Sequence, residues 1–244
     1  MTDINASHDH ARGPEPVVPF ALAGMFRGAS MSGEVYGVAL NNTVDVRNGM
    51  IANDRAKAAP NAPVMFIKPR NTYLAHGSQV LLSPELDAVE PCAALGVVFG
   101  RDTARVAPSH ALEHVLGYTL AIDISEPGAG YFRPPIREKC RDGFLPIGPG
   151  ILPRHALEDP DAALLRLEVD GETVASVRGK DQIRPIAELI AEVSAYMTFS
   201  AGDMLLAVLT SPGPLARPGS RVAAVVDGIG RLECVIGREA EALS

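Results

Sequence analysis

The sequence predicts a mixed, β-rich α+β fold, in which many short strands alternate with turns and a few short helices. Two observations support this prediction. Short apolar runs recur along the chain and end at turn-forming residues, and glycine and proline are frequent, at 23 and 20 of 244 residues. A third observation excludes one common fold class. No regular strand–helix alternation and no G-x-G-x-x-G after a strand are present, so a dinucleotide-binding fold is not expected.

The first half of the chain is predicted to contain mainly strands. The polar residues 1–18 predict a flexible tail, and residues 19–62 predict a small N-terminal subdomain with a loop or lid at 47–62. Ser109 is a plausible N-cap for a short helix, HALEHVL, that leads into a strand, YTLAID. The remaining strand predictions in this half are VMFIK (64–68), VLLS (80–83) and the buried run CAALGVVFG (92–100).

The second half predicts one hairpin, one amphipathic helix and three closing strands. Asp170-Gly171 marks the turn of a hairpin over 164–177, because both residues tolerate positive φ. Apolar residues at a 3.6-residue period predict a helix over 183–197. Gly and Pro turns separate the last strands, which are DMLLAVLT, SRVAAVVDG and GRLECVIG.

Composition argues against several classes of function. The net charge of −7 gives no basic surface for nucleic acid, and no apolar run reaches the length of a membrane span. The first residues lack the charged and apolar regions of a secretory signal. Three scattered cysteines, Cys92, Cys140 and Cys234, fit neither a zinc site nor a disulfide framework. A reducing, cytoplasmic setting is therefore expected.

The most unusual segment is YFRPPIREKCRDGFLPIGPG, residues 131–150. Six charged side chains fall within residues 133–142, between a proline pair and a glycine- and proline-rich run. Such cations suit a ligand with several carboxylates, although a solvated loop with local ion pairs would have the same composition. Asp123 ends the apolar run just upstream, where a catalytic or metal-binding carboxylate is often found.

Several motifs occur in one order and resemble those of the fumarylacetoacetate hydrolase family. Within that family they are similar to the bacterial bifunctional isomerase/decarboxylases of the homoprotocatechuate (4-hydroxyphenylacetate) pathway, in particular to their N-terminal half or separate first subunit. The resemblance implies a β-roll of largely antiparallel strands with a catalytic domain over residues 63–240. The motifs are FIKPRNT (66–72), ALGVVFG (94–100), GYTLAIDIS (117–125), YFRPPIREKCRDGFLPIGP (131–149), AGDML (201–205) and DGIGRLE (227–233).

The resemblance also implies a metal site. Family members bind Mg²⁺ or Mn²⁺ with a Glu-x-Glu pair and an Asp, and the open positions of the ion can chelate an oxo acid. Asp123 matches the Asp, but Cys92 and Ala94 stand where the two glutamates belong. Glu90 lies two residues earlier, behind Pro91. The resemblance therefore implies a dication, while these departures predict that this chain binds one weakly or not at all.

The other site residues are carried over from the same motifs. Lys139 matches the active-site lysine, and Asp123 is a candidate catalytic group as well as a candidate ligand. Asp45 falls near the position of the family's water-activating His. The predicted substrate-binding residues are Arg133, Lys68, Arg70 and Thr210.

Three functions remain open at this stage. The first is a lyase/isomerase of aromatic catabolism that decarboxylates 5-oxopent-3-ene-1,2,5-tricarboxylate or isomerises 2-hydroxyhepta-2,4-dienedioate, or does both. The second is a catalytically silent subunit that supports a metal-bearing paralogue. The third is an acylpyruvate-type C–C hydrolase, against which the missing His argues. The expected partners are a small polycarboxylate or oxo-acid substrate and a second subunit, in a homodimer or a pseudo-dimer, with neither nucleic acid nor membrane.

Overall fold

The structure is a computed structural model that describes residues 18–19, 33–43, 60–128 and 134–240. Within these ranges the helices are α1 (Pro108–Ala111), α2 (Ile136–Lys139) and α3 (Ile186–Ser194). Short 3-10 turns occur at Arg70–Thr72, Leu112–His114, Arg154–Ala156 and Gly179–Asp181. The strands are β1 (Val18–Pro19), β2 (Val35–Ala39), β3 (Val64–Lys68), β4 (Tyr73–Ala75), β5 (Gln79–Leu82), β6 (Glu90–Phe99), β7 (Val115–Ser125), β8 (Leu145–Pro153), β9 (Leu164–Val169), β10 (Glu172–Arg178), β11 (Met204–Leu209), β12 (Arg221–Val226) and β13 (Gly230–Arg238).

The described strands form two sheets. The larger has eight strands in the order β1-β8-β7-β6-β11-β2-β3, with β4 paired to β8, and the smaller has the order β10-β9-β12-β13-β5. The pairs β11–β2, β13–β5 and β4–β8 are parallel, and the other described pairs are antiparallel. This confirms the predicted β-rich α+β fold of largely antiparallel strands with a few short helices.

Alternation along β7 divides the molecule into a main core and a site face. Leu120, Ile122 and Ile124 are buried in the main core, which α3 and the smaller sheet also join. Ala121 packs in a second apolar cluster on the opposite face of the strand. Because side chains alternate across a strand, Asp123 lies on the same face as Ala121. This second face carries the candidate site.

Helix α3 follows the predicted period. Its buried residues are Ile186, Leu189, Ile190, Val193 and Ser194. The helix starts after Pro185, whose ring fixes φ near the helical value but which has no N–H to donate. It is shorter at both ends than the predicted 183–197. The hairpin turn is confirmed, since Asp170 and Gly171 have φ of 53° and 89°.

The prediction of a helix capped by Ser109 is wrong in two respects. Helix α1 begins at Pro108 with Ala107 in the N-cap position, and no side chain caps it. Ser109 therefore lies inside the helix. The helix is also shorter than HALEHVL, because strand β7 starts at Val115, which pairs with Phe99 of β6. Strand pairing overrides the local helical spacing here.

The predicted division at residues 62 and 63 stays a prediction, since most of residues 1–62 lie outside the described ranges. Strand β2, from the predicted N-terminal subdomain, is an inner strand of the larger sheet, between β11 and β3. Among the described residues, no helix has the length and apolar character needed to cross a membrane.

Candidate functional site

Asp123 lies at the centre of the candidate site, near the end of β7. Its side chain is 1% exposed and is held between two ammonium groups. Lys68 Nζ lies 2.7 Å from Oδ1, and Lys139 Nζ donates to Oδ2 at 2.6 Å. Two cations around one carboxylate leave the cluster with one net positive charge. Such a cluster favours an anionic ligand over a cationic one.

Lys68 is fully buried, and its ammonium group contacts the carboxylate of Asp123. Its ammonium donates to the backbone carbonyls of Ile124, Lys139 and Phe144 at 2.8, 2.7 and 3.0 Å. An ammonium has three N–H groups, so these carbonyls use all of them. Asp123 Oδ1 therefore receives the charge of Lys68 without a well-directed hydrogen bond. Lys68 is thus fully buried with its three N–H groups used by carbonyls, and its predicted role as a substrate-binding cation stays a prediction.

Burial and the neighbouring opposite charges shift the pKa values of Lys68 and Asp123 in opposite directions. Burial lowers the pKa of Lys68 to about 8, although the attraction of Asp123 raises it. Burial alone would raise the pKa of Asp123, but the charges of Lys139 and Lys68 hold it below its usual value. Asp123 is consequently an anion throughout the neutral range, and it serves as the counterion that keeps Lys68 protonated near pH 7.

Lys139 connects Asp123 to two adjoining cavities. A small polar cavity of about 40 Å³ is lined by Lys139, Asp123, Cys92 and Thr210, among other residues. A larger apolar cavity of about 400 Å³ shares Lys139 and Phe66 with it. The Lys139 ammonium lies 4.6 Å from the centre of the Phe66 ring, within cation–π range. A ligand bound to Lys139 therefore has a polar side and an apolar side available.

Thr210 lies on the wall of the polar cavity, as its predicted substrate-binding role requires. Its Oγ1 accepts the Ala93 N–H at 3.0 Å, which leaves the hydroxyl hydrogen to be donated. Arg70 is placed differently. Its side chain is half exposed and its Nε lies 3.3 Å from Glu34, and it does not line the polar cavity described above. Arg133 and Asp45 lie outside the described residues, so their predicted roles stay predictions.

The residues present do not fit a dication. Cys92 lies directly opposite Asp123 in the β6–β7 register, and Ala94 lies opposite Ala121 on the same face. Glu90 lies two residues before Cys92 on the same strand, and it pairs with Ser125. The described residues contain no group of three or more His, Cys, Asp or Glu side chains that could hold a metal. Both Asp123 oxygens also face ammonium groups, which repel Mg²⁺.

Some cavity residues were not found from the sequence. Asn41 and Gln182 line the polar cavity with Leu40, whose φ of 57° is unusual for a large side chain. Phe66, which lies under Lys139, was seen only as part of a strand motif. Leu40 and Asn41 follow the end of β2, and Gln182 follows a 3-10 turn, so no periodic pattern marks them. Their contribution depends on long-range contacts between segments about 140 residues apart.

Comparison with known proteins identifies the family of this chain. The family model for the C-terminal domain of fumarylacetoacetate (FAA) hydrolase matches residues 34–237. The 4-hydroxyphenylacetate degradation bifunctional isomerase/decarboxylase of Salmonella dublin is 33% identical over 213 residues. That alignment covers 86% of this chain and 48% of the relative, so the chain spans about half the length of this curated relative.

Solved structures give the same result. A 5-carboxymethyl-2-hydroxymuconate delta-isomerase from Mycobacterium smegmatis is 28% identical, with a TM-score of 0.69 over 85% of this chain and 80% of that one. A 2-hydroxyhepta-2,4-diene-1,7-dioate isomerase from Mycobacterium marinum is 26% identical, with a TM-score of 0.68 over 85% and 75%. Sequence motifs, sheet topology and the family model all agree, and the chain belongs to the fumarylacetoacetate hydrolase family.

Proposed function

We propose that this chain is a lyase/isomerase of aromatic catabolism that acts on a polycarboxylic oxo acid. The proposed reactions are decarboxylation of 5-oxopent-3-ene-1,2,5-tricarboxylate and isomerisation of 2-hydroxyhepta-2,4-dienedioate, as in the 4-hydroxyphenylacetate pathway. The observation that carries the proposal is the Lys139–Asp123–Lys68 cluster beside the polar cavity. Similarity to isomerases and to an isomerase/decarboxylase supports the reaction class.

The chemistry can proceed on the residues of this chain. When 5-oxopent-3-ene-1,2,5-tricarboxylate loses CO₂ from C2, the C–C bonding pair moves through the C3=C4 double bond to the C5 carbonyl and forms a dienolate, which then takes up a proton from solvent. The Lys139 ammonium at the cavity wall would stabilise that negative oxygen, as positive groups do in other enolate-forming sites. Asp123 holds the ammonium in place through its 2.6 Å contact. Isomerisation passes through the same kind of enolate or dienolate, so one charged group can serve both reactions.

Replacing Lys139 by Met tests this assignment. The methionine keeps the length and the apolar stem but removes the charge, so kcat for decarboxylation should fall about 100-fold. Turnover by the unaltered chain should persist in EDTA, because the donor set described above does not fit a dication. The measurement is release of CO₂ from the oxo-tricarboxylate by the purified chain. Lys180→Met, at an exposed position, is the matched control and should retain full activity.

A second candidate function is a silent subunit that supports a metal-bearing paralogue. The observation that favours it is the presence of Cys92 and Ala94 where the family has its glutamate pair, next to an Asp123 already ion-paired twice. The assay separates the two candidates. Activity of the chain alone, resistant to EDTA, would exclude the silent subunit. Activity that arises only after addition of a family member with a Glu-x-Glu pair would exclude the first proposal.

A further inference from the structure

The Gln182 side chain is a polar group of the cavity that the proposed reaction does not use. Gln182 is 7% exposed, and its Nε2 has no hydrogen-bond partner among the described residues. It lines the same cavity as Lys139, Asp123 and Thr210. Buried amides are nearly always hydrogen-bonded, and each exception needs an explanation. An unpartnered donor at a cavity wall indicates that a ligand oxygen would accept its hydrogen bond.

The backbone holds Gln182 at this wall. Its N–H donates to the Gly179 carbonyl at 2.9 Å, and it forms an antiparallel bridge with Asn42. The Asn41 side chain fixes the next part of the loop. It accepts the Arg184 N–H at 3.0 Å and donates to the Arg184 carbonyl at 3.0 Å. These contacts hold the backbone of Gln182 beside the cavity.

The Arg184 guanidinium, two residues along the chain, does not replace the amide. The Arg184 guanidinium donates to Glu192 at 3.0 Å and to the Pro60 carbonyl at 2.7 Å. Its charge is thus neutralised outside the cavity, and it does not line the cavity wall described above. The polar groups from these two segments that do line it are the neutral amides of Asn41, Asn42 and Gln182. Recognition on this side depends on hydrogen bonding rather than on charge.

We propose that Gln182 is a specificity-determining residue whose side-chain amide donates a hydrogen bond to the second carboxylate of a dicarboxylic oxo acid. The first carboxylate and the oxo group of that ligand lie at Lys139. The inference rests on the proposed function, because it assigns a role in the same cavity. A neutral donor favours ligands with a second acceptor at the right distance, and it adds no charge that would hold inorganic anions.

Calorimetric titration of the full chain with oxalate and with glutarate tests the proposal. The two carboxylates of oxalate are adjacent, so under the proposal oxalate binds at Lys139 alone, whereas those of glutarate are three methylenes apart and are the ones expected to span Lys139 and Gln182. Gln182→Met removes the donor at nearly constant size, so the Kd for glutarate should rise about 10-fold or more while the Kd for oxalate changes less than about 2-fold. Gln79→Met, at an exposed position on β5, is the control and should change neither value.

Three results would overturn the inference: an unchanged glutarate Kd in Gln182→Met, an equal loss for both probes, or no binding of glutarate by the unaltered chain. If Gln182→Met does not fold, Gln182→Asn should give the same difference between the probes, because its shorter amide no longer reaches the ligand. The Lys139→Met assay keeps the two proposals distinct. Turnover that depends on Lys139, with unchanged glutarate binding in Gln182→Met, defeats only the role of Gln182.

Discussion

Replacing Asp123 by Asn should lower the free energy of unfolding by about 3–5 kcal/mol at pH 7, the usual cost of removing one partner of a buried ion pair. The reason is the fully buried Lys68, whose pKa is already lowered to about 8 by burial. Without its counterion, Lys68 must either remain charged in the interior or lose its proton on folding. Either alternative costs free energy relative to the unfolded chain, in which the lysine is solvated and protonated.

The sign of the pH dependence follows from the same group. The folded pKa of Lys68 lies below the unfolded value of 10.5, so the penalty is fully present below the folded pKa and disappears as pH rises towards 10.5. Removing Asp123 lowers the folded pKa further. The difference between the unaltered chain and Asp123→Asn should therefore shrink between pH 7 and pH 10, as measured by urea unfolding at several pH values.

Asp227→Asn is the matched control for this measurement. Asp227 also pairs with a cation, Arg166, at 2.6 Å, but its side chain is 80% exposed. Exposed pairs contribute little, so this variant should unfold like the unaltered chain. A loss of stability in Asp123→Asn that is no larger than in Asp227→Asn would contradict the assignment of Asp123 as the counterion of the buried lysine.

Restoring the glutamate pair should create a metal site. In a Cys92→Glu, Ala94→Glu variant the new carboxylates would lie on the site face of β6, next to Asp123. Three carboxylates outweigh the two lysine charges, and hard oxygen ligands suit Mn²⁺ and Mg²⁺. We expect Mn²⁺ affinity to rise at least about 1,000-fold over the unaltered chain, because ligand charge changes such affinities by orders of magnitude.

The loss of the free-ion signal of Mn²⁺ in electron paramagnetic resonance gives the affinity directly. The control is Cys92→Gln, Ala94→Gln, which adds the same bulk to the site face of the strand without charge. It should bind Mn²⁺ as weakly as the unaltered chain. If the unaltered chain binds Mn²⁺ as tightly as the double-glutamate variant, the conclusion that the present residues do not fit a dication is wrong.

Much of the fold could be predicted because its signals are local. The turn at Asp170-Gly171 needs positive φ at both positions, and the buried residues of α3 repeat with the helical period. The helix around Ser109 was predicted too long, because the pairing of β7 with β6 determines where that helix ends. Local spacing carries no information about such pairing.

The site could be predicted only in part, for a related reason. Asp123 and Lys139 could be chosen as candidate site residues because both lie in family motifs between residues 117 and 149. The contacts of Lys68 could not, because its ammonium reaches backbone carbonyls 56, 71 and 76 residues away. These contacts exist because the larger sheet curves until β3 faces β7. Gln182 is missed as well, since a glutamine after a turn is ordinary until the cavity beside it is seen.

The position of Lys68 has a consequence for how the family site can vary. Its three carbonyl acceptors fasten Ile124 and Phe144 beside each other, and the Ile124 N–H also donates to the Phe144 carbonyl at 3.1 Å. These contacts hold the positions on either side of residues 125–143 together. Pro134, Pro135 and Ile136 lie between these two joined positions and line the apolar cavity. Exchanges at these three residues can therefore change the shape of that cavity while the contacts that join Ile124 to Phe144 remain.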